Sequence, residues 1–385
     1  MERQYYYFYD LNEVLIDRYP ARIANKIREL DPNSNFIFIY SEKYNGDQPK
    51  KTPKGSQSYF IPSLNKKKVI KLIKKYPPNS LTTIAQRIPD MWLLSLFNHL
   101  KIKTNIVQHG LWSDKLERIS LFSLLIQKFS KFLNYISYTK KISKLNNLPF
   151  LPILKDLYEF LLKENKTIIE TRYLDTEKIR AKRVFAFDDS WEEYYSLKYG
   201  YNKKQLIYIG NPDLLLLKNI DISKKETSIC YLCQSLVEDG RLDKDKYINF
   251  ITKMVSFLPP SQKLYIKLHP RSRMDNYLSI KENKNVIFTN DLPLCDFYIG
   301  HYTGLLATVK HISNNILIWL FSDHHTPEYF KKFGSTITFN YEELNNFMNG
   351  KIECKNDQYN LTEISNNNFK NFDPINKIAH NLIEN

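Results

Sequence analysis

Four cysteines in 385 residues, Cys230, Cys233, Cys295 and Cys354, are too few and too scattered for a disulfide framework, and a reducing compartment fits them best. Ten glycines argue against flexible or repetitive architecture. No segment approaches about 18 uninterrupted apolar residues. The opening MERQYYYFYD carries no apolar run of signal-peptide length. Neither membrane spanning nor export by that route is expected, and a cytoplasmic location follows. A P-loop and a G-x-G-x-x-G are both missing, which demotes ATP hydrolysis and dinucleotide redox chemistry. Acidic residues are the minority, 41 against 56 Lys and Arg, and the net charge of +15 calls for an anionic partner. Nucleic acid, an acidic membrane surface and an anionic substrate compete for that place.

What remains is ordinary globular material, 43% apolar and 25% charged, in a chain longer than one hydrophobic core usually serves. Strands are expected at YYYFY (5–9), NFIFIYS (35–41), SYFIP (58–62), LTTIAQ (81–86) and TNIVQHG (104–110), with helices between them. A helical stretch over 119–163, VFAF (184–187) and LIYIG complete a first lobe, residues 1–213. The second, residues 214–350, restarts with SICYLC (228–233). A helix over 243–257 follows, then KLYIKLHP (263–270), NVIF (285–288), DFYIG (296–300), a helix over 304–312 and ILIWLF (316–321). An Asn-rich tail with a terminal helix fills 351–385. Strand alternating with helix at this spacing implies parallel sheets covered on both faces, hence an α/β chain of two Rossmann-like lobes whose ligands bind at the carboxyl ends of strands.

Three strand ends of the second lobe carry the chemistry. After SICYLC stand Gln234-Ser235 and the acidic turn Glu238-Asp239-Gly240. A partly desolvated carboxylate there could take the proton of an acceptor hydroxyl, although the same residues suit a solvated turn and helix cap. Next, Lys267, His269, Pro270, Arg271 and Arg273 put an imidazole and guanidinium groups at a strand mouth. Such a set can donate to a leaving phosphate and neutralise a phosphate or carboxylate. Third, His301, Tyr302, Thr303 and Gly304 precede a helix, where a hydroxyl and backbone N–H groups suit an anion and Thr303 equally suits an N-cap. Cys230 and Cys233 form a C-x-x-C within an apolar run, which reads as a buried strand rather than a zinc or redox site.

This ordered set, Gln-Ser with an acidic turn, then K-L-H-P-R about 30 residues on, then a small hydroxyl and Gly at a helix start, resembles bacterial sialyltransferases of the lipooligosaccharide and polysialyltransferase families. The likeness covers residues 5–45 and 226–322. It implies a GT-B fold with a cleft between the lobes, the first on the acceptor side and the second on the CMP-sugar side. It also implies inverting, metal-independent transfer of sialic acid from CMP-sialic acid to a sugar hydroxyl of a capsule or lipooligosaccharide, with no cofactor beyond the donor substrate. By position, His269 matches the histidine that protonates or hydrogen-bonds the departing CMP phosphate. Thr303 and Gly304 match the Ser/Thr motif that helps hold the donor. Asp239, with Glu238 as its rival, lies in the segment that carries the base in the lipooligosaccharide enzymes. Gln234, Ser235, Lys267, Pro270, Arg271, Arg273, His301 and Tyr302 complete the expected donor site.

One departure bears on this reading. Gln108-His109-Gly110 stands where the related enzymes usually place an acidic pair plus Gly. His109 could inherit the base role as a neutral imidazole, or bind a carboxylate or phosphate as a cation. Another donor, CMP-Kdo, another CMP-nonulosonate or a UDP-sugar, then becomes credible. Asp243-x-Asp245 reads as a capped helix start, and Asp323, His324 and His325 as a solvated loop, so no metal is expected. Residues 121–144 have apolar positions at helical spacing and only lysines as charges, which suits either an anionic leaflet on the inner face of the cytoplasmic membrane or a core helix with a solvated basic face. A basic nucleic-acid-binding protein is the rival of another class; spread-out basic residues without a reading motif weigh against it, and no nucleic-acid partner is expected.

Overall fold

A strand covered on both faces needs a continuous apolar run, and such runs form the centre of each of two parallel sheets. The computed structural model describes residues 4–16, 19–43, 51–108, 121–161, 176–217, 226–238, 242–269, 271–301, 303–321, 336–351 and 373–384. In the first sheet β1 (Tyr5–Asn12), with Tyr6, Tyr7, Phe8 and Tyr9 all buried, lies between β2 (Asn35–Glu42) and β4 (Pro78–Thr83). With β3 (Gln57–Phe60), β5 (Lys103–Val107), β6 (Arg183–Ala186) and β7 (Leu206–Tyr208), the order is β3-β2-β1-β4-β5-β6-β7, every pair parallel. Its helices are α1 (Glu13–Ile16), α2 (Tyr19–Leu30), α3 (Lys66–Lys75), α4 (Ile88–His99), α5 (Leu121–Asn146), α6 (Phe150–Leu161), α7 (Thr176–Ile179) and α8 (Glu192–Tyr199). α4 is apolar nearly all round and correspondingly buried nearly all round, whereas α3 buries only Val69 and Leu72 and turns its lysines outward.

The second lobe contains β8 (Glu226–Leu232), α9 (Lys244–Ser256), β9 (Lys263–Lys267), β10 (Val286–Thr289), β11 (Cys295–Gly300), α10 (Leu305–Val309), β12 (Asn315–Trp319), β13 (Thr336–Thr338) and α11 (Tyr341–Met348). Its order is β10-β9-β8-β11-β12-β13, again all parallel. Alternation along β8 divides the core. Ile229, Tyr231 and Cys233 face one side with Tyr247, Phe250, Ile251 and Met254 of α9, while Cys230 and Leu232 face the other with Leu306 and Val309 of α10. The two cysteines of the C-x-x-C therefore lie on opposite faces of the sheet. Burial pushes the Cys233 thiol up to about 12 and raises that of Cys230 well above its ordinary value, so both are packing residues. The terminal helix α12 (Pro374–Ile383) belongs with β1–β7: it packs on α2, and Arg183 of β6 donates to the Asn381 carbonyl at 3.1 Å.

Several boundaries differ from expectation for local reasons. β4 starts at Pro78, a position that needs no ladder donor, and ends at Thr83 instead of running over 81–86. The long helix of 119–163 is two helices, broken where Asn147 takes φ +53° and the Leu148 N–H returns to the Ser143 carbonyl at 3.0 Å, with Pro149 following. α10 stops at Val309, well short of 312. β13 and α11 were not anticipated. No helix among the described residues is long and apolar enough to cross a membrane.

Candidate functional site

In the second sheet β9, β8 and β11 are neighbours, and their ends are level: Lys267 pairs with Leu232, and Leu232 with Gly300. The three loops singled out in the sequence thus leave one edge side by side, about the switch point between β8 and β11 where the strand order reverses.

Polar ties stitch the β8 and β9 loops together. Arg271 Nη2 donates to the buried Ser235 Oγ at 2.9 Å. Glu238 Oε1 accepts the Arg273 backbone N–H at 2.8 Å and Asn276 Nδ2 at 3.0 Å. Lys267 Nζ donates to the Leu268 carbonyl at 2.8 Å, which keeps its ammonium at the strand end. The turn after β9 closes on itself. The His269 N–H donates to Ser272 Oγ at 3.1 Å, and the Ser272 N–H returns to the His269 carbonyl at 2.8 Å. Arg271 contributes its backbone N–H to His269 Nδ1 at 3.2 Å. A nitrogen that accepts cannot carry the hydrogen, so the neutral His269 ring is the Nε2–H tautomer. The ring is half-buried, and Arg271 and Arg273 are exposed.

The third loop divides in two. Thr303 and Gly304 are half-buried at the start of α10, with the Thr303 carbonyl accepting the Leu306 N–H at 3.1 Å. A Cβ on Gly300 would come within 3.2 Å of the Leu306 side chain, so strand and helix approach closely because residue 300 has none. His301 goes inward: it is 3% exposed, its Nδ1 is 3.0 Å from the Trp319 carbonyl and its Nε2 is 2.7 Å from the Tyr231 hydroxyl. Both nitrogens are committed inside the lobe, which corrects the expectation that His301 touches the donor. Burial depresses its pKa to about 4, so the ring is neutral at pH 7. Gln234 is half-buried beside Ser235. Asp239, His109, Pro270, Tyr302, Asp323, His324 and His325 lie outside the described residues.

Asp243 caps α9, its Oδ1 accepting the N–H groups of Asp245 at 2.9 Å and Lys246 at 3.0 Å. The D-x-D is a helix start, and no metal-binding cluster of His, Cys, Asp or Glu occurs among the described residues. Two features escaped the sequence reading. Ser272, between the two arginines, ties down the His269 turn; a hydroxyl three residues after a strand-end His is its signal. In the first lobe, Arg87 bridges Asp10 at the end of β1 (2.9 Å) and Asp90 in the first turn of α4 (2.6 Å). Asp90 is fully buried, and burial raises its pKa against the pull of Arg87. The Arg-x-x-Asp spacing at a helix start is its only trace in the sequence.

The whole arrangement defines an α/β chain of two Rossmann-like lobes, the GT-B class of fold. Among solved structures, the chain is similar to the UDP-GlcNAc 2-epimerase of Methanocaldococcus jannaschii in complex with UDP-GlcNAc and UDP (TM-score 0.52, 12% identity, covering 99% of this chain and 100% of that one). It is also similar to S. aureus MnaA bound to UDP (TM-score 0.51, 11% identity, 89% and 86% covered) and to a further UDP-N-acetylglucosamine 2-epimerase (TM-score 0.50, 10% identity, 100% and 95% covered). At these identities the likeness is one of fold. No protein-family model matches the sequence, and no curated protein matches it.

Proposed function

We propose that the chain is an inverting, metal-independent glycosyltransferase that moves sialic acid from CMP-sialic acid to a sugar hydroxyl of a bacterial surface glycan, with its donor site at the carboxyl edge of the second sheet. The observation that carries this reading is His269: held at the end of β9 with Nδ1 accepting from Arg271, its ring has the Nε2–H tautomer a proton donor needs, among Lys267, Arg271 and Arg273. The acceptor oxygen would attack the anomeric carbon as the bond to the CMP phosphate oxygen breaks. Charge growing on that phosphate would meet the cations and the His269 Nε2–H, while a base takes the hydroxyl proton. Glu238 suits a clamp on the β9 loop better than a base, because its Oε1 already accepts two hydrogen bonds. That leaves Asp239 or His109 for the proton. Thr303 and Gly304, with Gln234 and Ser235, would line the donor.

A second reading keeps the fold and changes the donor to a UDP-sugar, favoured by the likeness to an epimerase in complex with UDP-GlcNAc and UDP and to a second protein bound to UDP. Nucleotide release from CMP-sialic acid, CMP-Kdo and UDP-GlcNAc, with and without oligosaccharide acceptors, separates the two. CMP release with a glycosylated product is the expected result, reduced about 100- to 1,000-fold in His269→Ala and by less than about threefold in Glu238→Gln. Turnover of UDP-GlcNAc alone would overturn the sialic acid reading, and a Glu238→Gln loss as deep as that of His269→Ala would make Glu238 the base.

A further inference from the structure

A line of hydrogen-bonded side chains runs through the interior of the second lobe and joins two of the loops described above. The Trp319 carbonyl can only accept, so the hydrogen of neutral His301 sits on Nδ1, 3.0 Å away, and Nε2 is an acceptor. The Tyr231 hydroxyl on β8 has one hydrogen and two neighbours, Nε2 at 2.7 Å and the Tyr247 hydroxyl of α9 at 3.2 Å. The Tyr247 hydroxyl is in turn 2.9 Å from that of Tyr277. The side chains of Tyr277 and Ser272 interact, and Ser272 Oγ accepts the backbone N–H of His269 at 3.1 Å. The line therefore begins one residue after Gly300 and ends on the backbone of His269.

Packing fixes these rings. His301 stacks on Phe321 with centroids 4.7 Å apart and meets Tyr231 and Phe250 edge-on at 5.6 and 5.7 Å. None of His301, Tyr231, Tyr247 and Tyr277 is more than 3% exposed. Phenylalanine at 231, 247 and 277 would fill the same space with no hydroxyl to satisfy. What the hydroxyls add is direction: a satisfied buried network holds its members in one arrangement.

We propose that His301, Tyr231, Tyr247 and Tyr277 are positioning residues that act through Ser272 to fix the turn carrying His269, setting its imidazole in the orientation that a leaving phosphate requires. The proposal rests on the role given to His269 above. The mechanism is mechanical: Ser272 Oγ, anchored from below by Tyr277, holds the His269 N–H, and the closed turn brings the Arg271 N–H onto Nδ1. None of the four residues touches substrate.

The test is nitrogen NMR of histidine-labelled protein. There are eight histidines, and the His269 signals are those lost in His269→Ala. In the wild type the His269 ring is expected as a single Nε2–H tautomer. Tyr277→Phe and Tyr247→Phe are expected to move its nitrogen signals toward a tautomer average, and kcat to fall about tenfold with the donor KM within about twofold. Ser272→Ala, at a half-buried loop position, should produce the same shift, and adding Tyr277→Phe to it should change little more, because both act on one tie. Unchanged His269 signals in Tyr247→Phe and Tyr277→Phe proteins of native dispersion would overturn the proposal. Should Tyr277→Phe fail to fold, Tyr247→Phe and Ser272→Ala decide. If the wild type turns over no donor, the donor reading falls, and the nitrogen signals still decide whether the network orients His269.

Discussion

The two sheets share the strand order 3-2-1-4-5 and fill the carboxyl end of the first strand oppositely. At the end of β1, one guanidinium is set between two buried carboxylates, Asp10 and Asp90. At the end of β8, the buried polar groups are hydroxyls and a neutral imidazole, while the cations Lys267, Arg271 and Arg273 stand half-buried or exposed on the loops. Strand order creates a switch point in each lobe; side-chain charge decides what each can hold. A guanidinium shared by two buried carboxylates braces the first edge, whereas the second carries its cations on loops, with the Glu238 carboxylate among them turned to the Arg273 backbone and Asn276.

The sharpest way to break this contrast is to remove the brace. Arg87→Met leaves two buried carboxylates without their cation and is expected to cost about 3–5 kcal/mol of stability at pH 7. Urea unfolding measures it. A loss under about 1 kcal/mol would mean that the triad is solvated and that the first edge is open to ligands like the second.

A smaller effect sharpens the other side. His301 has its pKa lowered by burial from 6.5 to about 4. Between those values the unfolded chain binds the proton and the folded lobe does not, so stability is complete above about pH 6.5 and declines as pH falls toward 4. The shift corresponds to roughly 3 kcal/mol. His301→Gln removes that titration, and the difference in unfolding free energy between pH 7 and pH 4.5 should shrink by most of this amount relative to the wild type. An equal pH slope in both proteins would show a solvated imidazole, and with it a ring able to reach the donor.

Both edges were partly legible in the sequence, to different depths. β8, β9 and β11 announce themselves as apolar runs, and His-Pro-Arg directly after one of them marks a strand mouth, so the loops at that edge are legible in the sequence. What could not be read is direction. That Glu238 turns toward Arg273 and Asn276, and His301 toward Tyr231, depends on contacts between residues 35 or more positions apart. The first-lobe brace was missed because Arg87 and Asp90 look like an ordinary helix start unless Asp10, 77 residues earlier, is known to lie beside them. β13 was invisible for another reason: three residues, Thr-Ile-Thr, are too short to show a period. α11 had a signal that went unused, with Leu344, Phe347 and Met348 buried at helical spacing behind the Asn340 cap.

Asp243 gives the smallest effect and bears on whether the proposed donor site works without a metal. As an N-cap whose Oδ1 accepts two backbone N–H groups, it should cost about 1 kcal/mol when replaced by alanine. A D-x-D that held a divalent cation against a nucleotide diphosphate would behave differently: Asp243→Ala would abolish turnover, and wild-type activity would rise with added Mg2+ or Mn2+ and vanish in EDTA. The expected outcome is a modest fall in unfolding free energy, kcat and donor KM within about twofold of wild type, and indifference to chelator. A CMP-sugar presents a single phosphate, which Lys267, Arg271, Arg273 and the His269 Nε2–H can match without a cation, whereas a UDP-sugar presents two. Metal dependence at Asp243 would therefore move the balance of the whole comparison toward the diphosphate donor.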